Sequence, residues 1–165
     1  MSVAGTWRWF DDVNPGTRVE LGSYRFTGDN ITAFARKFDP QTFHLDDEAA
    51  RNTHFGALCA SGWHVCAAYM KCCADYNFAG CDAAEAAGKE LPPLGPSPGF
   101  ENLNWLKPVH AGDTITYFNE ITGRREMSSR DDWGLVFALN TGINQRGDLV
   151  FRFDGKLLVA RRQLS

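Results

Sequence analysis

The chain has 165 residues, 44% of them hydrophobic and 22% charged, with a formal net charge of -3. That length fits one domain, residues 1–165, large enough for a real core. The balance leaves no basic footprint for nucleic acid, and no apolar run nears the roughly 18 residues that would make a membrane partner expected. The opening MSVAGTWRWFDD lacks a basic region followed by an apolar core, so no signal peptide is expected. Five cysteines (Cys59, Cys66, Cys72, Cys73 and Cys81) fall mostly in one stretch. An odd number in that pattern reads as reduced thiols in a cytoplasmic protein, not as a disulfide framework.

Residues 1–16 are aromatic and acidic, turn at Asn14-Pro15-Gly16, and are expected to drape over the fold. Residues 18–26 read as a strand with Val19 and Leu21 on one face. Thr27 or Asp29 caps a short helix reaching Lys37, in which Ile31, Phe34, Ala35 and Phe38 recur at helical spacing. Pro40 disfavours helical geometry at Asp39, so the helix should end there. Asp39 then sits at a helix terminus, with His44 on the turn beyond and one more short helical piece over residues 46–52.

The strongest helix signal covers residues 56–78. Leu58, Cys59, Trp63, Cys66, Ala67, Met70 and Cys73 step by three or four. Small residues such as Gly56, Ala60, Ser61 and Gly62 would let a sheet approach closely. Cys59, Cys66 and Cys73 fall on one stripe and read as core. Residues 79–99 form a Gly/Pro/Ala-rich connection with a short helical piece near 83–87, and a connection of that length is usually functional or mobile. The period then switches to alternation. Strands are expected over residues 100–106, 114–125 and 149–161, the last after a hairpin turn at Arg146-Gly147-Asp148. Before that turn, Trp133, Leu135, Phe137, Leu139 and Ile143 share one face of a further long strand. The order predicts an α+β fold, an antiparallel sheet of about five strands around one long helix.

Four segments carry a resemblance: FDPQTFHLD (38–46), GALCASG (56–62), NLNWLKPVHAGD (102–113) and NQRGDLVF (144–151). In this order and spacing the chain resembles the MaoC-like family, the (R)-specific enoyl-CoA hydratases of the hot-dog fold, over roughly residues 19–162. The family pattern reads Asp, any residue, Asn, Pro, any apolar residue, His. Here Pro40 directly follows Asp39 and the Asn is missing, while the spacing of the two end residues is kept.

The resemblance implies reversible hydration of a trans-2-enoyl-CoA to the (R)-3-hydroxyacyl-CoA, without metal or redox cofactor. Asp39 and His44 would hold one water and share the acid/base work. The Gly62 N–H, near the start of the long helix, would receive the thioester carbonyl. An acyl-CoA thioester is the implied partner, and a homodimer with the acyl pocket at or near its interface is the implied assembly. Plain structural roles stand beside these. Asp-Pro is common turn chemistry, His44 reads also as a half-buried turn histidine, and Gly62 also permits tight packing. His54, His64 and His110 read as structural, and no zinc spacing is recognised among the histidines and cysteines. Lys107 and the arginine pairs could meet coenzyme A phosphates, although exposed cations are usually only solvated. A hot-dog thioesterase and a non-catalytic acyl-CoA-binding subunit are the alternatives.

Overall fold

The computed structural model describes residues 8–93 and 95–162. The first seven residues of the predicted leader and Leu94 of the predicted connection lie outside them. The elements are β1 (Arg18–Arg25), α1 (Gly28–Phe38), α2 (Thr42–Leu45), α3 (Asp47–Arg51), α4 (Gly62–Ala86), β2 (Gly99–Trp105), β3 (Thr114–Glu126), β4 (Trp133–Asn144) and β5 (Leu149–Ala160). The strands form one antiparallel sheet in the order β1-β3-β4-β5-β2. It wraps α4, the α+β architecture expected from the pattern. Closure around a helix needs curvature, and β1 supplies some. Its register with β3 shifts between Glu20 and Gly22, where Gly22 takes φ +123°, a conformation that glycine adopts without steric cost.

The core explains why α4 sits where it does. Val65, Ala68, Tyr69 and Cys72 recur at i, i+3, i+4 and i+7 and are all buried. They meet Leu21 of β1, Ile115 and Tyr117 of β3, and Phe151 of β5 in one cluster. The Tyr117 hydroxyl donates to the Val65 carbonyl at 3.0 Å, so the most enclosed phenol of the sheet is satisfied on the helix.

The long helix begins six residues later than the periodicity predicted. The backbone of residues 58–60 is bonded elsewhere. Ala111 N–H donates to Leu58 O, Ala60 N–H to Val109 O, and Cys59 N–H to Phe43 O. Cys59 also forms a bridge with His110. A segment whose amides and carbonyls are taken by neighbours on both sides has none left for a helical turn. The helix starts where Ser61 caps it: its Oγ accepts from Trp63 N–H at 3.2 Å, and its carbonyl accepts from the N–H groups of His64 and Val65. At the other end it runs to Ala86, so the separate helical piece expected near 83–87 is its last turn. Cys59 therefore lies outside the cysteine stripe of α4.

On β4 the apolar set Trp133, Leu135, Phe137, Leu139 and Ile143 does share a face, but α4 is on the other side. Toward the helix point Val136, Ala138 and Asn140, because Asn140 meets Tyr69 of α4 and side chains alternate along a strand. The described part of the leader does drape over the fold: Phe10 and Val13 are buried against Val136 and Val159. Its acidic residues engage the C-terminal arginines, Asp12 with Arg162 and Asp11 with Arg161. Lys107 is likewise paired, with Asp148.

Candidate active site

Three local structures bring the candidate residues together. The first is α1, capped at Thr27 by a reciprocal pair of hydrogen bonds with Asn30. It ends at Asp39, whose N–H still bonds to Ala35 O while its backbone leaves the helix, as the following proline demands. The second is α2, one helical turn that places His44 in the interior. The third is the start of α4.

Asp39 Oδ2 stands 3.5 Å from His44 Nε2. Each partner is held from behind. Ser61 Oγ donates to Asp39 Oδ2 at 2.7 Å, and Gln41 Nε2 donates to Asp39 Oδ1 at 2.8 Å. His44 Nδ1 lies 2.7 Å from the Cys59 carbonyl oxygen. A carbonyl only accepts, so Nδ1 carries a proton and Nε2 is turned toward the carboxylate. The Cys59 backbone that displaced the first turn of α4 is thus what fixes the imidazole. Phe43 and Phe55 stack around it with edge-on and tilted geometry.

Electrostatics at Asp39 are a contest. Burial pushes its pKa up, but the hydrogen bonds from Gln41 and Ser61 and the nearby His44 outweigh that. Its carboxyl is held below the ordinary carboxylate value, so it is ionised at neutral pH. At Cys59 burial has nothing to oppose it and pushes the thiol to about 11, which leaves it an inert neutral group beside the ring.

Gly62 is the first residue of α4. A Cβ built there would lie 2.4 Å from the Trp105 indole, and the Gly62 carbonyl accepts from Trp105 Nε1 at 2.9 Å. Tight packing is therefore one reason for glycine here. Its N–H is one of the first-turn donors that no i−4 carbonyl reaches, and no hydrogen bond to it is found among the described residues. It adjoins Ser61 in the chain, so this donor lies at the same end of α4 as the carboxylate that Ser61 holds.

Sequence reasoning missed Ser61, Gln41 and the Cys59 carbonyl. A cap signal was present, since serine directly before a helix is a preferred cap, but a helix started at residue 56 hides it. His64 does turn away from the pair, into Tyr24, Phe26 and Phe34. His110 Nε2 meets Phe55 O at 3.1 Å, a structural contact.

Known proteins can now be set beside this geometry. The family model described as FAS1-like, dehydratase domain region matches residues 14–153. The crystal structure of a MaoC-like dehydratase from Rhodospirillum rubrum aligns at 34% identity over 95% of this chain and 99% of that one, with a TM-score of 0.80. The chain belongs to the MaoC-like family of hot-dog dehydratases. YdeM of Bacillus subtilis strain 168 is 27% identical over 151 residues, 92% of this chain and 98% of that protein. Mesaconyl-CoA hydratase of Cereibacter sphaeroides is 31% identical over 67 residues, 41% of this chain and 19% of that protein.

For this MaoC-like chain the Ser61 contacts give a direct test. Ser61→Ala removes both the helix cap and one hydrogen bond to Asp39. Stability is expected to fall by about 1 kcal/mol from the lost cap, read as a lower urea midpoint. With Asp39 as a catalytic carboxylate, the role proposed below, turnover is expected to fall roughly 10- to 100-fold as that group loses its fixed position.

Proposed function

We propose that this protein adds water reversibly across the double bond of a trans-2-enoyl-CoA, giving the (R)-3-hydroxyacyl-CoA. The observation that carries this reading is the Asp39–His44 pair, 3.5 Å apart and fixed by Ser61, Gln41 and the Cys59 carbonyl. Membership in a dehydratase family supports the reaction class, and the hydratase named among the relatives supports a coenzyme A thioester as substrate. The (R) configuration follows the family resemblance carried by the sequence motifs.

In this mechanism Asp39 is ionised and His44 carries protons on both nitrogens. A water seated between them donates to Asp39 and attacks C3 of the conjugated thioester, and its proton passes to the carboxylate. Electrons move from the C2–C3 double bond toward the thioester oxygen, which the Gly62 N–H receives at the positive end of α4. His44 Nε2 then protonates C2, and the carbonyl reforms. Asp39 returns its proton to His44, so the balance is one water added and no net change in the enzyme. No metal or redox cofactor enters the scheme.

A second copy of the chain completes the proposal. The β2 strand is a sheet edge, bonded only to β5, and unpaired edges attract other strands. Phe100, Trp105 and Leu106 are exposed on or beside it, and on α4 Trp63 packs edge-on to Trp105, with Met70 exposed two turns further on. Edge-to-edge pairing of two β2 strands would cover this patch. Sedimentation at micromolar concentration should give a homodimer, and Leu106→Glu with Phe100→Glu should give a monomer; a wild-type monomer would remove the dimer from the account. No helix among the described residues is long and apolar enough to cross a membrane, and five free thiols support the expected cytoplasmic location.

The activity is tested by supplying short, medium and branched 2-enoyl-CoAs and following enoyl absorbance and free thiol in parallel. Loss of absorbance without thiol is the expected result. Thiol release would indicate a thioesterase instead, and binding with neither signal would indicate a non-catalytic subunit.

A further inference from the structure

The segment over residues 102–113 braces the approach to α4 at alternate positions. Two of the contacts are made by backbone: Ala111 N–H donates to Leu58 O, and Ala60 N–H donates to Val109 O. Gly62, the next alternate position, is met by a side chain instead. Trp105 Nε1 donates to the Gly62 carbonyl at 2.9 Å. The same ring fills the space that a Cβ would need, with three indole atoms 2.4–2.8 Å from that position. The sheet in turn sets the ring. Trp105 pairs with Phe151 at the end of β2, and the N–H of Leu106 donates to Val150 O at 2.8 Å.

Both contacts bear on one group. Glycine has the widest choice of backbone angles of any residue, and the first-turn N–H groups of a helix lack the i−4 bonds that hold later ones. Gly62 combines the two weaknesses, and its N–H is the donor assigned above to the thioester oxygen. On the N-terminal side the backbone is tied through Ser61, whose carbonyl accepts from His64 and Val65 and whose hydroxyl is bonded to Asp39. On the C-terminal side the Gly62 carbonyl is tied by Trp105. With both ends held and one face of Cα covered, the direction of the Gly62 N–H is set. Packing alone needs only the ring. Trp105 is 45% exposed, so water could satisfy its indole N–H, yet that N–H is spent on Gly62.

We propose that Trp105 is a positioning residue for hydration, holding the Gly62 N–H toward the oxygen on which negative charge develops. A donor fixed before the reaction stabilises that charge without having to reorganise. This role rests on the hydration reading and deepens it by naming what orients the donor. Trp105 acts through Gly62, and it makes no hydrogen bond to Asp39 or His44 among the described residues.

Trp105→Phe keeps an aromatic ring and removes the donor, and two readouts on the full chain test it. The first uses a saturated acyl-CoA, which cannot be hydrated, carrying carbon-13 at the thioester carbonyl. Wild type should move that resonance downfield of its free position, and Trp105→Phe should return it at least halfway. A misfolded fraction would change the intensity of the bound signal, not its position. The second readout is turnover of a 2-enoyl-CoA. There kcat should fall roughly 10- to 100-fold, with KM within about threefold and the pH profile of kcat/KM unmoved. Trp63→Phe alters the neighbouring exposed ring without removing the bond to Gly62, and should match wild type within about threefold. Gly62→Ala alone should lose turnover by clashing with the indole. Added to Trp105→Ala, where that space is empty, it should instead recover at least about threefold of the lost kcat by stiffening the backbone.

The role of Trp105 is overturned, with the hydration reading intact, if wild type turns over and Asp39→Asn does not while Trp105→Phe keeps the wild-type resonance and kcat. It is also overturned if wild type leaves the carbonyl resonance at its free position, or if Trp63→Phe loses as much as Trp105→Phe. Wild type without hydration of any enoyl-CoA would overturn both readings together.

Discussion

Asp39→Asn is expected to lower turnover of a 2-enoyl thioester by about 100- to 10,000-fold, the range for loss of a positioned acid/base group, with almost no loss of stability. The contrast between the two effects is the informative part. Asn retains the shape and one acceptor for Ser61; its NH2 replaces the oxygen that accepts from Gln41, whose own amide must turn its oxygen inward to keep that contact. What disappears is the charge, and its place in the fold makes that charge of little structural value. Asp39 is the C-cap of α1, where the helix dipole disfavours an anion by about 0.3–1 kcal/mol. The hydrogen bonds that hold its pKa down act in the opposite sense, so the melting temperature should stay nearly fixed. A carboxylate kept at an unfavourable helix end, aimed at a histidine, is what the proposed mechanism requires. Turnover within threefold of wild type would remove Asp39 from the mechanism. His44→Gln should lose activity on the same scale, since in the proposed mechanism the proton delivered to C2 comes from His44 Nε2.

Stability is expected to fall by up to about 3 kcal/mol as pH drops from about 6.5 to about 4, through His64 alone. Burial pushes the His64 pKa down from 6.5 to about 4. Its ring stacks on Phe34 at 4.6 Å and meets Phe26 and Tyr24 edge-on. Nε2 has only the Tyr24 hydroxyl, at 3.4 Å, and Nδ1 is buried without a partner among the described residues. His64 also lies in the first turn of α4, where the dipole opposes a cation. Between the two pKa values the unfolded chain binds a proton that the folded chain refuses, so the contribution is complete above about pH 6.5 and shrinks toward pH 4. Urea midpoints of wild type and His64→Leu, measured across that range, isolate the effect from the carboxylates, which both proteins share. Wild type should lose stability steadily relative to His64→Leu as pH falls; parallel curves would show that His64 does not titrate against folding.

Much of this was legible in the sequence because local rules and tertiary demands agreed. The Thr27 cap, the end of α1 before Pro40, and the alternation through β3 and β5 all depend on chemistry within a few residues. The spacing from Asp39 to His44 marked the pair, and the structure places the two side chains together. What escaped notice was set by contacts distant in sequence. The periodicity of residues 56–61 was real, but Val109, Ala111 and Phe43 claimed their backbone. With that, the Cys59 carbonyl became a support for His44 and Ser61 became both cap and Asp39 partner. The Ser61 cap can be read from its neighbours once the helix start is known, but its contact with Asp39 and the Cys59 support of His44 cannot. The buried Asn140–Tyr69 contact was hidden for a related reason. Alternation on β4 marks two faces, and the more apolar one turned away from α4.

The central claim, that Asp39 and His44 direct water to C3 of an enoyl thioester, is tested most directly by isotope. Wild-type protein would be incubated with a short trans-2-enoyl-CoA in water enriched in oxygen-18, and the products resolved by chirality and mass. The account predicts an intact thioester bearing one labelled hydroxyl at C3, of (R) configuration, absent with Asp39→Asn. Label in a free carboxylate, or a labelled hydroxyl that persists in that variant, would contradict it.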